Sequence, residues 1–275
     1  MFNPNQKSLR PAILLAMALS LLLAACAAPP PARQPAEREI VIFAAASLRD
    51  AFNEIGGRFE QTTSSTRVRF NFAGSQQLAE QIKQGAPADV FASANARQMN
   101  NVISSGRVTS GTQQIFVQNR LVVVVAQNAS PVQSLADLAQ PGAKIVLAER
   151  AVPAGQYALE FLQKASNTAE FGRTFSQTVL ANVVSYEEDV RAVFSKVALG
   201  EADAGIVYTS DVVAGKDNAV RTIAIPDDLN TLAAYPIAAL NDSENAALAK
   251  QFIDFVLDKE GQAILARYGF IPVQP

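Results

Sequence analysis

Short apolar runs that alternate with segments of helical spacing restrict the fold of this chain more than any other feature. Residues 40–46 are all apolar, as is typical of a strand buried on both faces of a sheet. Apolar residues then recur at helical spacing over 48–60, with Ser47 near the position expected for the N-cap of that helix. Further strands are predicted at 68–72 and 88–92, with a second helix between them. This alternation predicts an α/β fold built on a parallel sheet with helices on its faces.

The second half of the chain shows the same alternation. Its predicted strands cover residues 121–126, 144–148, 179–184 and 204–208. One helix begins at residues 152–155 and extends to about residue 165, and another begins at residues 188–190. With 275 residues, the chain is long enough for one large domain or two moderate ones.

Four residues stand at or near the beginnings of the predicted helices, directly after strands. They are Ser47, Ser75, Ala154 and Val190. The first amides of a helix have no partner inside the helix, and the helix dipole makes that end partly positive. Such ends bind anions through backbone N–H groups without Lys or Arg, and ligands of open α/β sheets sit beyond the carboxyl ends of the strands. Each serine taken alone is better explained as a simple N-cap.

The first 25 residues have the pattern of a bacterial export signal. A positively charged start precedes residues 12–25, an uncharged stretch of mostly Leu and Ala that is short for a membrane-spanning helix. The stretch ends in Leu-Ala-Ala-Cys, which resembles a lipobox, so we predict a lipoprotein signal peptide at residues 1–25 and acylation of Cys26. Residues 26–38 contain four prolines and predict an extended tether that links the lipid anchor to the folded part. The protein is therefore predicted to be extracytoplasmic and held at a membrane.

Composition and charge exclude several functional classes. Hydrophobic residues make up 49% of the chain and charged residues 17%, which is a globular composition. The formal net charge of −2 becomes −4 once the predicted signal peptide is removed, because that segment carries two basic and no acidic residues. A nucleic-acid binder would carry a basic excess instead. The chain has no His, and its single Cys is the predicted lipidation site, so a His or Cys metal site is excluded. A serine-dependent hydrolase remains an alternative, but without a His base or an S-x-x-K motif we predict that the protein is not an enzyme.

Seven separated motifs, in the same order, resemble those of the periplasmic molybdate-binding proteins of molybdate ABC transporters. They are residues 43–48 (FAAASL), 72–75 (FAGS), 85–91 (GAPADVF), 152–155 (VPAG), 188–191 (EDVR), 205–208 (GIVY) and 267–270 (RYGF). The resemblance implies a two-lobed periplasmic-binding-protein fold of type II-like form, with the ligand in the cleft between the lobes. It places lobe 1 at residues 39–119 and 228–275, and lobe 2 at residues 120–227.

The resemblance also implies a set of ligand-binding residues. The set comprises the hydroxyls of Ser47, Ser75 and Tyr208 and the backbone amides of Ala154 and Val190. Whether Gly74 or Gln76 adds a contact stays open, because several relatives have a run of serines where this chain has Gly74-Ser75-Gln76. The two serines belong to one predicted lobe and the other three residues to the other. A bound anion would bridge the lobes and so favour a closed state.

The chemistry of this set fits a fully deprotonated tetrahedral oxyanion, because hydroxyls and amides can all donate hydrogen bonds. Hydrogen phosphate also carries a proton that needs an acceptor, and leaving it unpaired in a buried site costs about 1–3 kcal/mol. The resemblance implies molybdate or tungstate as the ligand, an ABC permease as the partner, no cofactor and a monomeric protein. Sulfate is the main alternative, because cavity size separates it from the larger oxyanions. Ferric iron and organic solutes are further alternatives among binding proteins.

Overall fold

The computed structural model describes residues 38–127, 130–215 and 219–273. The predicted signal peptide, Cys26 and the predicted tether up to residue 37 lie outside these ranges. Within them, no helix combines the length and the apolar character that crossing a membrane requires.

Strands and helices alternate along the described chain, which confirms the predicted α/β class. The strands are β1 (Arg38–Ala45), β2 (Thr66–Ala73), β3 (Val90–Ala92), β4 (Gln114–Asn119), β5 (Leu121–Ala126), β6 (Ile145–Ala148), β7 (Val183–Glu187), β8 (Ala204–Tyr208), β9 (Val220–Ala224), β10 (Ala233–Ala239) and β11 (Ile271–Pro272). The helices are α1 (Arg49–Thr62), α2 (Ser75–Lys83), α3 (Ala96–Ser104), α4 (Pro153–Ser166), α5 (Phe175–Ala181), α6 (Val190–Ala198), α7 (Thr209–Gly215), α8 (Ala246–Leu257) and α9 (Lys259–Arg267). Short 3-10 helices cover Ala46–Leu48 and Ala136–Ala139.

The larger of two sheets has the strand order β11-β4-β10-β3-β1-β2. β1 runs parallel to both β2 and β3, as the first half of the sequence predicts. β10 comes from near the end of the chain and lies antiparallel between β3 and β4. Ile40, Ile42 and Ala44 of β1 are fully buried, as expected for the apolar run of a strand that is covered on both faces.

The smaller sheet has the strand order β7-β6-β8-β5-β9. β6 runs parallel to β7 and β8, whereas β5 is antiparallel to β8 and β9. All six residues of β5 are buried, which explains why its sequence is a continuous apolar run instead of an alternating one. The carboxyl ends of β6, β7 and β8 lead into α4, α6 and α7 respectively.

The chain crosses between the two sheets twice. It leaves the larger sheet between β4 and β5 and returns between β9 and β10, through residues 225–232. Asn230 ties the two crossings together, because its Oδ1 accepts from the Leu121 amide at 3.1 Å and its Nδ2 donates to the Leu121 carbonyl at 2.9 Å. The two sheets therefore mark two lobes. The predicted lobe bounds, residues 39–119 with 228–275 and residues 120–227, stay a prediction.

The predicted strand at residues 179–184 is wrong, because α5 occupies the first part of this range and β7 starts only in its second part. Phe175 and Val179 lie one helical turn apart and are both buried. A short apolar run does not by itself distinguish a strand from a buried helix. Asn182 lies between the two elements, where its side chain donates to the Leu138 carbonyl at 2.9 Å.

The two serines expected near N-cap positions lie just inside the first turns instead. Ser47 is the central residue of the 3-10 helix Ala46–Leu48, and α1 begins at Arg49 without a side-chain cap. Ser75 is the first residue of α2, and Gly74 is its N-cap. Because neither hydroxyl caps its own helix, both are available for contacts elsewhere.

Candidate ligand-binding site

Six strands of the two sheets end around one cavity between the lobes. The residues that line it are Ala45, Ala46, Ser47, Gly74, Ser75, Ala94, Val152, Pro153, Ala154, Asp189, Val190 and Tyr208. They stand at or just after the carboxyl ends of β1, β2, β3, β6, β7 and β8, where open α/β sheets hold their ligands. The structure thus brings all five predicted residues together, and none of the described residues in the lining is Lys or Arg. As ligand contacts, the five stay a prediction.

Ser75 contributes a hydroxyl whose direction is set by its neighbour. The residue is 1% exposed, and its Oγ accepts a hydrogen bond from the Ala94 amide at 3.0 Å. An amide N–H can only donate, so this bond occupies an acceptor position of the hydroxyl and leaves the Ser75 proton free. Ser75 can therefore donate to a group in the cavity.

Ser47 contributes a second buried hydroxyl from the same lobe. Its Oγ forms a hydrogen bond with Tyr235 Oη at 3.0 Å. Tyr235 lies in β10 and is fully buried, and its ring packs edge-on against the ring of Tyr208 with centroids 5.8 Å apart. Tyr235 thus connects the first serine of the site to the tyrosine of the other lobe.

Tyr208, the last residue of β8, contributes a third hydroxyl from lobe 2. It is 1% exposed, and its Oη has no hydrogen-bond partner among the described residues. Burial raises the pKa of this hydroxyl well above its usual value, and the neighbouring Tyr235 adds to the increase. The group therefore stays protonated at neutral pH and remains a donor. A buried polar atom without a partner costs about 1–3 kcal/mol, and a bound acceptor would remove that cost.

Two helix N-termini of lobe 2 supply backbone donors. Pro153 is the first residue of α4 and has no N–H, so Ala154 provides the first amide of that helix. Val190 is the first residue of α6. Asp189 caps α6 by accepting from the amides of Arg191 and Ala192 at 2.8 and 3.0 Å. That cap leaves the Val190 amide free for the cavity.

Polar contacts between the lobes surround the cavity. Gln76 Nε2 donates to the Glu188 carbonyl across the cleft at 2.9 Å, and Arg191 forms an ion pair with Asp50 of the opposite lobe at 3.1 Å. Gly74 lines the cavity, and a Cβ on it would lie only 2.5 Å from the Glu188 carbonyl oxygen. Gly74 therefore borders the cavity closely and Gln76 joins the lobes, and whether either residue contacts a ligand stays open.

The cavity is small in this closed arrangement. About 10 Å³ is open to the centre of a water-sized sphere, which is about the space that one water needs. A large organic solute would need a much wider opening than a five-atom oxyanion. The size therefore favours a small inorganic solute over the organic alternatives.

Sequence reasoning missed three residues that support the site: Ala94, Tyr235 and Asn119. Ala94 follows β3, and the rule that ligands bind beyond the carboxyl ends of parallel strands could have found it. Tyr235 and Asn119 carry no such signal, because their contacts depend on how β10 and β4 pair.

A small cavity between two α/β lobes, lined by several hydrogen-bond donors and one capping carboxylate but by no basic side chain, is typical of a protein that binds a small anion. The chain belongs to the bacterial extracellular solute-binding proteins, whose family model matches residues 40–271. Proteins of this family act outside the cytoplasm, which agrees with the predicted extracytoplasmic location.

Two individual relatives are similar to this chain over most of their length. Over 256 residues the chain is 40% identical to the molybdate-binding protein ModA of Mycobacterium tuberculosis H37Rv, with 90% of this chain and 92% of that protein covered. Over 232 residues it is 31% identical to the putative ABC transporter substrate-binding lipoprotein YvgL of Bacillus subtilis 168, with 84% and 85% covered. The family resemblance predicted from the seven motifs is therefore confirmed.

The fold has a solved counterpart in the sulfate-binding protein SubI of Mycobacterium tuberculosis H37Rv. The two share a TM-score of 0.77 at 19% identity, over 86% of this chain and 88% of that one. At this identity the likeness concerns the fold alone, and it confirms the predicted two-lobed binding-protein architecture.

Proposed function

We propose that this chain is the solute-binding component of an ABC importer and that it captures molybdate, with tungstate as a close analogue. One observation carries the proposal: three buried hydroxyls and the first amides of two helices converge on one cavity that has no basic side chain in its lining. A dianion can be buried without a cation only if nearly every oxygen accepts hydrogen bonds. The likeness to ModA of Mycobacterium tuberculosis supports molybdate as the solute.

The donors act from both lobes. Ser47 and Ser75 donate from lobe 1, whereas Ala154, Val190 and Tyr208 donate from lobe 2. An anion held by both sets binds the closed form better than the open form and shifts the population toward closure. The closed form then offers the permease a surface that distinguishes the loaded protein from the unloaded one.

The same donors discriminate against hydrogen phosphate. Ser75 already accepts from the Ala94 amide, and the capping oxygen of Asp189 accepts from two amides. Apart from the second carboxylate oxygen of Asp189, a protonated anion therefore meets few free acceptors, whereas molybdate, tungstate and sulfate need none.

Sulfate is the second candidate. Its charge and shape suit the same donors, and the fold likeness to the sulfate-binding protein SubI favours keeping it. Sulfate is the smaller anion, so the extent to which the lobes separate on binding decides between it and molybdate.

The proposal includes a lipid anchor at Cys26. The lipobox-like sequence before Cys26 and the likeness to the lipoprotein of Bacillus subtilis support it. An acylated Cys26 and a proline-rich tether would hold the binding lobes near the permease while leaving them free to close. The role is transport and involves no catalytic step, which agrees with the transport assignments of the relatives.

Titration calorimetry of the protein without its first 25 residues, against molybdate, tungstate, sulfate and phosphate, tests the proposal. We expect tight binding of molybdate and tungstate, much weaker binding of sulfate and no measurable binding of phosphate. A preference for sulfate would favour the second candidate. Absence of binding to all four anions would refute an oxyanion-binding role. Mass spectrometry of the full-length protein isolated from membranes tests acylation of Cys26.

A further inference from the structure

Tyr235 connects the site to a buried network of hydrogen-bonded polar side chains that lie outside the seven motifs. Its hydroxyl lies between Ser47 Oγ, at 3.0 Å, and Asn119 Nδ2, at 3.4 Å. Tyr235 and Asn119 are both fully buried, so water does not compete for the hydrogen bonds of this network.

The orientation of the Asn119 amide is fixed by its neighbours. Asn119 Oδ1 accepts from the Arg120 amide at 3.0 Å, and an amide N–H can only donate. Thr209 Oγ1 donates to the same oxygen at 2.9 Å. The Nδ2 group must therefore face the other way, where it donates to Ser210 Oγ at 2.8 Å and to Tyr235 Oη.

This orientation makes Tyr235 Oη an acceptor from Asn119 and leaves the Tyr235 proton available for a bond toward the cavity. Tyr235 Oη accepts from Asn119, so its own proton is left to donate. Among the described residues, Ser47 Oγ is the acceptor that is hydrogen-bonded to it. With the Tyr235 proton directed at Ser47 Oγ, Ser47 accepts from Tyr235, and the Ser47 proton is free to donate into the cavity that Ser47 lines.

We propose that Tyr235 is a positioning residue that determines specificity by making Ser47 a hydrogen-bond donor toward the bound anion. The inference rests on the proposed oxyanion-binding function and deepens it. The Ala94 amide orients the Ser75 hydroxyl in the same way, because it donates to Ser75 Oγ. Both serines of lobe 1 then donate to the solute, and neither accepts from it. This polarity disfavours an anion that carries a proton, such as hydrogen phosphate.

The test is Tyr235→Phe, which keeps the ring and removes the hydroxyl. Ser47 can then turn its proton away from the cavity and accept from a protonated anion. We expect molybdate to bind about 3- to 10-fold more weakly, from the loss of one ordered hydrogen bond. We also expect phosphate at millimolar concentration to displace molybdate from the variant but not from the wild type. Tyr186→Phe is the matched control, because Tyr186 is 51% exposed and lies outside the cavity lining.

A double-mutant cycle with Ser47→Ala separates a positioning role from a merely structural one. If Tyr235 acts through Ser47, adding Tyr235→Phe to Ser47→Ala causes no further loss of molybdate affinity. An additive loss, or a variant that phosphate still fails to displace, overturns the inference. Wild-type calorimetry keeps the two proposals apart: if the wild type binds molybdate and Tyr235→Phe behaves like the wild type, only the role of Tyr235 is refuted.

Discussion

At the scale of single residues, the site is defined by buried hydroxyls that have no hydrogen-bond partner or that are used only as acceptors. The Tyr208 hydroxyl has no partner among the described residues, and the Ser75 hydroxyl is occupied only as an acceptor. Such atoms reduce the stability of the protein alone and increase its affinity for an acceptor that completes them. For the Tyr208 hydroxyl, stability and affinity should therefore respond in opposite directions when the group is removed, whereas removal of the Ser75 hydroxyl would also leave the Ala94 amide without its acceptor.

Tyr208→Phe tests this opposition directly. We expect the variant to lose roughly 1.5–3 kcal/mol of molybdate binding, because a hydrogen bond to a charged acceptor is lost. The melting temperature of the protein without ligand should stay equal or rise, since the unpaired hydroxyl is gone. Calorimetry and thermal unfolding measure the two effects, and Tyr268→Phe, outside the cavity lining, is the control. A variant that is less stable and binds normally would contradict the assignment.

Asp211 predicts a pH dependence of stability. It is fully buried, its carboxylate accepts from the Tyr208 amide at 3.0 Å, and burial raises its pKa to about 7, against the opposing effect of Arg191. Because the pKa is raised on folding, the stabilisation from this group is present below about pH 4 and is lost as pH rises through about 7. The unfolding free energy of Asp211→Asn relative to the wild type should therefore increase between pH 4 and 7.5. Urea denaturation measures this difference in unfolding free energy. If the difference stays constant between pH 4 and 7.5, the pKa of Asp211 is not raised on folding.

At the scale of elements, the helix that begins at Val190 shows how capping and ligand binding share one N-terminus. Asp189 accepts from the amides of the second and third residues of α6, and Val190, the first residue, lines the cavity. The cap fixes the direction of that first amide without using it.

Asp189→Ala should destabilise the protein by about 0.5–2 kcal/mol, as the loss of an N-cap does. Asp189→Asn keeps a capping oxygen and should be close to the wild type in stability. Because the substitution by Asn also removes a negative charge from the cavity lining, we expect it to bind molybdate more tightly. Urea denaturation measures the stability of both variants, and calorimetry measures their affinity for molybdate. Equal stability of the two variants would show that the Asp189 side chain does not stabilise α6 as a cap.

At the scale of the whole molecule, function depends on two lobes that meet over the solute. The Arg191–Asp50 ion pair and the Gln76–Glu188 hydrogen bond join the lobes directly beside the cavity. They stabilise the closed form relative to the open form without contacting the solute, so they should affect affinity through closure alone.

Asp50→Ala should weaken molybdate binding about two- to fivefold, the effect of removing one partly exposed ion pair, and the loss should shrink at high salt. Asp254→Ala, which removes the exposed Lys250–Asp254 pair of α8, is the control. Small-angle scattering should show a larger open fraction for the ligand-free Asp50→Ala protein. Unchanged affinity together with an unchanged scattering profile would exclude this role.

Most elements could be predicted because their causes are local. The buried strands Leu121–Ala126 and Ala204–Tyr208 were predicted to the residue from their apolar runs. The run at 179–184 was misassigned because it is too short to show a period. Four of the candidate contacts, Ser47, Ser75, Ala154 and Val190, could be predicted because each stands where a strand gives way to a helix, whereas Tyr208 was implied by the family resemblance alone.

The sequence by itself determined most of the strands and helices, the places where helix N-termini follow strands, and the absence of His from the chain. Only the tertiary structure decided that six of these turns meet at one cavity, that β10 enters the larger sheet antiparallel, and that Tyr235 reaches Ser47 over a separation of 188 residues. The physical reason is the difference in sequence separation over which the interactions act. Periodicity and capping act within a few residues, whereas hydrogen-bond direction and cavity size depend on contacts between parts of the chain that are distant in sequence.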